Sequence, residues 1–142
     1  MSDPLYAKDL LRLAAAATGA GRLQAFDAEG SAYNPACGDR ILVTLRLDGA
    51  GRITEMAHET SACVLAQASA SLLGAHLEGT DEEIVRKLRT EVGSMLREGE
   101  APAPPFSGYS ALSGAAPYRN RHTCVLLPID AVLEALSASS KT

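Results

Sequence analysis

The chain has 142 residues, of which 46% are hydrophobic and 4% aromatic, and its formal net charge is -4. This length suits one domain with its own apolar core, so residues 1–142 are predicted to form a single domain. The acidic balance argues against a nucleic-acid surface, and no apolar run approaches the roughly 20 residues of a membrane span. The N-terminus also lacks a signal-peptide pattern, so we expect a cytoplasmic protein.

The first part of the chain predicts one helix and then a turn-rich stretch. Asp3-Pro4 is typical of a cap followed by proline at the first helical position, and Thr18-Gly19 is expected to end that helix. Residues 22–27 are a candidate short strand, with Glu29-Gly30-Ser31 as a turn after it. The next turn, Asn34-Pro35-Ala36-Cys37-Gly38-Asp39, holds a thiol and a carboxylate two residues apart.

The middle of the chain predicts a small antiparallel sheet followed by two helices. In residues 40–47 an apolar side chain recurs at every second position, from Ile41 to Leu47, which is typical of a strand with one buried face. Residues 53–60 are expected to return as the hairpin partner. Residues 64–75 predict a helix rich in small side chains, beginning beside Cys63. Thr80-Asp81-Glu82-Glu83 indicates a capping box that opens a helix extending to about Arg97.

The last part of the chain predicts an insertion and a final helix. Residues 100–117 are rich in proline and glycine, so we expect an extended, exposed and mobile loop. Pro128 is the predicted first residue of the last helix, and the polar tail at 137–142 is expected to fray.

Each of the three cysteines lies where a predicted element begins or ends, and such positions converge more easily than the middles of elements. Thiolates select zinc, copper(I) or iron–sulfur species, and Asp39 could complete a set of four ligands with Cys37, Cys63 and Cys124. The cysteine spacing does not match a compact zinc finger. For each thiol an inert, buried role stays open, and for Cys63 the two interpretations are about equal.

Three segments together resemble the IscU/NifU-type iron–sulfur cluster assembly proteins, in the same order and over most of the chain. They are Asn34-Pro35-Ala36-Cys37-Gly38-Asp39-Arg40-Ile41, Ala62-Cys63 leading into Ala68-Ser69-Ala70-Ser71, and Arg121-His122-Thr123-Cys124-Val125-Leu126. The resemblance implies an α+β, SufE/NifU-like fold, with about three antiparallel strands and helices packed on one side. It also implies that Cys37, Asp39, Cys63 and Cys124 form the metal site.

Differences within that family favour its SufU-like branch. The scaffold branch has a histidine directly before the third cysteine, whereas this chain has Thr123. The long interval between Cys63 and Cys124 and the arginine at Arg121 are similar to the SufU pattern. We interpret His122 as a surface residue and His58 and His76 as structural residues.

The SufU-like branch implies bound Zn²⁺ and a possible zinc-dependent sulfurtransferase activity. Its sulfur would come from a PLP-dependent, SufS-like cysteine desulfurase, with Cys37 as acceptor and Arg121 as an accessory residue. Apo iron–sulfur proteins or a SUF scaffold would receive the sulfur, and neither nucleic acid nor membrane is expected as a partner. The alternative is a non-enzymatic, IscU-like scaffold that assembles a [2Fe–2S] cluster, or binds iron, on the same four residues. A third alternative is an interaction module with three unrelated thiols.

Overall fold

The structure is a computed structural model that describes residues 8–36 and 38–140, with side chains described through residue 138 at the C-terminal end. The helices are α1 (Lys8–Ala16), α2 (Val64–His76), α3 (Glu82–Glu98) and α4 (Arg119–Ser140), and a 3₁₀ helix spans Ser107–Ala115. The strands are β1 (Ala28–Asn34), β2 (Asp39–Leu47) and β3 (Ile53–Ser61). The predicted cap at Asp3-Pro4 and the thiol of Cys37 lie outside the described residues.

The three strands form one antiparallel sheet in the order β1-β2-β3, with α4 packed on β1 and β2 and α2 packed against β3. Ile41, Val43 and Leu45 of β2 are almost fully buried, as their spacing of two residues predicts. The predicted α+β fold with a three-stranded sheet is therefore confirmed. Within the described residues, every helix is too short or too polar to cross a membrane.

The first strand lies later in the chain than predicted. Residues 22–27 form no strand, and the predicted turn Glu29-Gly30-Ser31 lies inside β1. Gly30 serves packing, because a Cβ atom there would come within 2.3 Å of the Ala135 backbone nitrogen. The glycine that suggested a turn instead allows α4 to approach the sheet closely.

The capping residue of α3 was also predicted one position too early. Asp81 is the N-cap, and its carboxylate accepts a hydrogen bond of 3.0 Å from the Ile84 backbone N–H. Thr80 is buried, and its hydroxyl donates to the Leu77 carbonyl over 2.6 Å. The helix itself is confirmed, and it ends at Glu98 before Gly99, which has a φ of 88°.

The expectation of an extended, exposed insertion is wrong for residues 107–115, which form the 3₁₀ helix. The buried side chains of this helix and of its N-cap recur every three residues, which is the period of a 3₁₀ helix. These side chains are Phe106, Tyr109, Leu112 and Ala115. The 3₁₀ helix contacts α1, α2, α3 and α4, so it forms part of the core.

The last helix begins earlier and ends later than predicted. α4 starts at Arg119 and contains Pro128 in its interior, and it continues to Ser140 rather than fraying from residue 137. Proline removes one backbone donor from a helix without preventing the helix from continuing when packing supports it. Because α4 starts at Arg119, Cys124 lies inside the helix.

Candidate metal centre

A tight turn between β1 and β2 positions the first part of the site. The Asn34 side-chain oxygen accepts a hydrogen bond from the Ala36 backbone N–H over 3.1 Å, and the Asn34 carbonyl accepts from the Gly38 N–H over 2.8 Å. Gly38 has a φ of 73°, a conformation that glycine adopts without steric cost. The turn thus brings the chain back so that Asp39 opens β2 opposite Asn34.

Cys63 occupies the N-cap of α2, as predicted from its place between a strand and a helix. Its carbonyl accepts the helical hydrogen bond from the Gln67 N–H over 3.0 Å, and its side chain makes no capping bond. The thiol is half-buried, at the end of the helix where backbone N–H groups and the helix dipole favour a negative charge. Cys63 can therefore offer its sulfur to a cation rather than to its own helix.

Cys124 is 1% exposed and belongs to the second turn of α4. Asn120 and Arg121 precede it by four and three residues, so all three side chains share one face of the helix. This face could not be deduced while the helix was expected to begin at Pro128. A start at Arg119 would have identified Asn120 as a neighbour of the site.

Three of the four predicted ligands lie close together. One ligand atom each from Asp39, Cys63 and Cys124 lies within 4.8 Å of the other two, and the three residues form a group that could hold a metal ion. Sulfur and oxygen ligands at about 2.0–2.3 Å from a tetrahedral zinc are separated by roughly 3.5–3.8 Å. Closure by no more than about 1.3 Å would bring the three atoms to that spacing.

The carboxylate of Asp39 is the feature of this group that fits a cation best. Asp39 is 6% exposed, and among the described residues its Oδ2 atom is buried without a hydrogen-bond partner. A buried carboxylate oxygen that lacks a partner is costly, so native proteins almost always satisfy such an atom. A cation bound between Asp39 and the two thiols would satisfy it.

Arg121 lies beside both described thiols. Desolvation lowers the pKa of Arg121, but its interactions with Cys63 and Cys124 raise it by more. The net result is a pKa above the ordinary value for arginine. With Asn34, Ala36, Asn120 and Cys124, it lines a cavity of about 170 Å³ next to the ligand group. Asn120 was not identified from the sequence, whereas Asn34 opens the motif that contains Cys37 and Asp39.

The three histidines do not belong to this ligand group. His122 is half-buried, and its Nε2 donates to the Ala116 carbonyl over 2.9 Å, so it is less exposed than predicted. His76 contacts the edge of the Phe106 ring. His58 is 3% exposed and belongs to a separate, partly buried cluster, the His58 junction, formed by Thr18, Gly19, His58, Thr60, Ser71 and Gly74.

Comparison with known proteins is consistent with the fold and with the ligand group. The family model described as NifU-like N terminal domain matches residues 5–125. The iron-sulfur cluster assembly scaffold protein IscU of Streptococcus pyogenes serotype M1 is 30% identical over 108 residues, covering 75% of this chain and 67% of that protein. The zinc-dependent sulfurtransferase SufU of Bacillus subtilis strain 168 is 30% identical over 95 residues, covering 66% of this chain and 64% of that protein.

Two solved structures share the fold. The N-terminal NifU-like protein from Brucella abortus superimposes with a TM-score of 0.91 at 30% identity, covering 99% of this chain and 97% of the other. A putative iron-sulfur cluster assembly scaffold protein for the SUF system from Fervidobacterium islandicum AW-1 gives a TM-score of 0.81 at 20% identity, covering 96% and 99%. The arrangement of sheet and helices is therefore that of NifU-like and SufU-like proteins.

Proposed function

Since this chain belongs to the IscU/NifU-type iron–sulfur cluster assembly family, we propose that it is a zinc-bound, SufU-like acceptor of sulfur from a PLP-dependent cysteine desulfurase. The observation that carries the proposal is the buried carboxylate of Asp39. One of its oxygens lies within 4.8 Å of the sulfurs of Cys63 and Cys124, and its Oδ2 atom has no hydrogen-bond partner among the described residues. Cys37, in the turn that Asp39 ends, would be the fourth ligand and the sulfur acceptor. Thr123 and Arg121 favour the SufU-like function over the IscU-like scaffold, because both positions resemble the SufU-like branch.

Zinc, when bound, would keep the thiols deprotonated and assembled between Asp39, Cys63, Cys124 and Cys37. Three thiolates and a carboxylate carry more negative charge than one divalent cation neutralises. The positive charge of Arg121, which interacts electrostatically with both described thiols, would offset part of that excess. The same guanidinium would favour the approach of an anionic persulfide to the turn.

The sulfur transfer itself is a thiol exchange reaction. The Cys37 thiolate attacks the terminal sulfur of the donor's persulfide, and a new S–S bond forms at Cys37. The S–S bond of the donor breaks, and its electron pair leaves on the donor cysteine as a thiolate. No external oxidant or reductant is needed, and the protein is left carrying one persulfide sulfur.

The test is to incubate zinc-loaded protein with a PLP-dependent cysteine desulfurase and free cysteine, and to measure the mass of the chain. The wild type should gain one sulfur atom and accelerate the desulfurase, whereas Cys37→Ala should do neither. Thr123→Ala is the control, because Thr123 is exposed and adjacent to a ligand. Sulfur uptake by Cys37→Ala at the wild-type rate would show that another residue is the acceptor.

The second candidate function is an IscU-like scaffold for a [2Fe–2S] cluster, favoured by the 30% identity to the streptococcal IscU. The same four residues would hold the cluster. Anaerobic reconstitution with iron and sulfide separates the two functions. Visible absorption followed by transfer to an apo iron–sulfur protein supports the scaffold, and colourless protein that retains one zinc supports the sulfur acceptor.

A further inference from the structure

A buried hydrogen-bonded junction connects the 3₁₀ helix to α2 and α4. The Ser69 hydroxyl donates to the Val125 carbonyl over 2.8 Å, and the Ser69 and Tyr109 hydroxyls lie 2.8 Å apart. Because the single proton of Ser69 is used on a carbonyl, the Tyr109 hydroxyl must be the donor to the Ser69 oxygen. One tyrosine thus completes a chain of hydrogen bonds between three elements.

This junction is fully removed from solvent. Ser69 and Tyr109 are both 0% exposed, and burial raises the pKa of Tyr109, so its phenol stays protonated and remains a donor. Two buried hydroxyls that satisfy each other and a carbonyl favour one geometry, because any displacement leaves a polar group unpaired. The distance between α2 and α4 is therefore held at this point by direction-dependent bonds as well as by packing.

The junction lies on the same two helices as the described thiols. Ser69 follows Cys63 by six residues in α2, which is about 9 Å along the helix axis, and Val125 follows Cys124 immediately. Pro128 has no N–H with which to donate the usual helical hydrogen bond to residue 124. The hydrogen bond from Ser69 to the Val125 carbonyl thus restrains α4 at a turn that has one backbone hydrogen bond fewer than a regular helix.

We propose that Tyr109 and Ser69 are positioning residues that hold the sulfurs of Cys63 and Cys124 close enough to bind one cation together. The 3₁₀ helix then has a definite role in the site, although none of its residues belongs to the ligand group. This proposal rests on the proposed function only where zinc is the cation, since the geometry of the two thiols can be measured without zinc.

The experiment compares Tyr109→Phe and Ser69→Ala with Thr80→Val. Thr80 is also buried and also donates to a carbonyl, at 2.6 Å, but it precedes α3 and lies outside the ligand group. Each change removes one buried hydroxyl. Tyr109→Phe and Thr80→Val should lower the unfolding temperature by similar amounts, and Ser69→Ala should lower it more, because Ser69 bonds both Val125 and Tyr109. Zinc affinity, measured by competition with a chromogenic chelator, should fall about tenfold or more for the first two variants and stay within about twofold for Thr80→Val.

The same changes are then made in a Cys37→Ser background, where Cys63 and Cys124 are the two remaining thiols of the sequence. Binding of phenylarsine oxide, which must bridge two thiols, reports their separation without any metal. Weaker bridging in Tyr109→Phe and Ser69→Ala, but not in Thr80→Val, supports the positioning role even if the wild type binds no zinc, a result that would refute the zinc function alone. Bridging and zinc affinity that match the Thr80→Val values would overturn the positioning role and leave the zinc function intact.

Discussion

Asp39 and His58 are both buried polar residues of the same sheet, but their surroundings are opposite. At the His58 junction, Nε2 donates to the Thr18 carbonyl over 3.0 Å and Nδ1 accepts from the Thr60 hydroxyl over 2.8 Å. The Asp39 Oδ2 atom has no such partner among the described residues. A satisfied polar residue stabilises the fold, whereas an unsatisfied one beside two thiols indicates a site that needs a ligand.

The strongest test of this contrast is to remove one proposed ligand at the candidate metal centre. Cys63→Ser should lower zinc affinity by about 100-fold, because each of four ligands contributes on the order of 3 kcal/mol to zinc binding. Competition with a chelator measures the loss. Ser61→Ala is the matched control, since Ser61 is exposed and two residues away, and an equal loss there would contradict the assignment of Cys63.

The next effect concerns packing at the His58 junction. A Cβ atom on Gly74 would lie 2.1 Å from the Thr18 carbonyl oxygen, the atom that accepts from His58. Gly74→Ala should therefore reduce the free energy of unfolding by about 2–3 kcal/mol, as measured by urea denaturation.

Gly93→Ala is the control, because Gly93 is also inside a helix and the nearest atom to its Cβ would be a flexible Arg97 nitrogen at 3.6 Å. Helix propensity alone predicts that this change stabilises the protein by up to about 1 kcal/mol. If the two variants change stability in the same direction, the close approach at Gly74 is not what fixes the junction.

A smaller effect should appear in the dependence of stability on pH. Desolvation by burial lowers the pKa of His58 below 6.5, although its hydrogen bond to the Thr18 carbonyl opposes the shift. The unfolded chain therefore binds a proton at a higher pH than the folded chain, so the stabilisation is complete above about pH 6.5 and is lost as the pH falls.

His58→Gln should flatten this loss between about pH 6.5 and 5, as measured by denaturant midpoints across that range. His76→Gln serves as the control, because His76 is half-buried and its ring makes a T-shaped contact with Phe106. A wild-type slope retained in His58→Gln would assign the acid sensitivity to another group.

Much of the fold follows from local patterns in the sequence. Alternation in β2 and apolar spacing in α3 predicted both elements, because one buried face imposes a period of two on strands and of about 3.6 on helices. Gly30 was misinterpreted because the sequence does not distinguish a glycine needed for close packing from a glycine needed for a turn. Proline misled twice, at residues 100–117 and at Pro128, since tertiary packing overrode its local preference.

The candidate site could be predicted only from the family resemblance, and the structure then placed three of its residues together. Spacing alone could not bring Cys63 and Cys124 together, because their proximity depends on how α4 crosses the sheet. The structure brings both to Asp39, whereas Cys37 lies outside the described residues and stays a prediction. The Ser69–Tyr109 bond had no signal in the sequence, although the spacing of three from Phe106 to Ala115 could have indicated the 3₁₀ helix.

Cys63 stands at the N-cap of α2, where serine or aspartate would ordinarily cap the helix with a side-chain hydrogen bond. Replacing it with serine should therefore raise the free energy of unfolding of the metal-free protein by up to about 1 kcal/mol. The metal-free variant should then melt at a higher temperature than the metal-free wild type. Saturating zinc should reverse the ranking, because only the wild type gains fully from the ion. The start of α2 is thus a place where selection for reactivity and selection for robustness demand different amino acids.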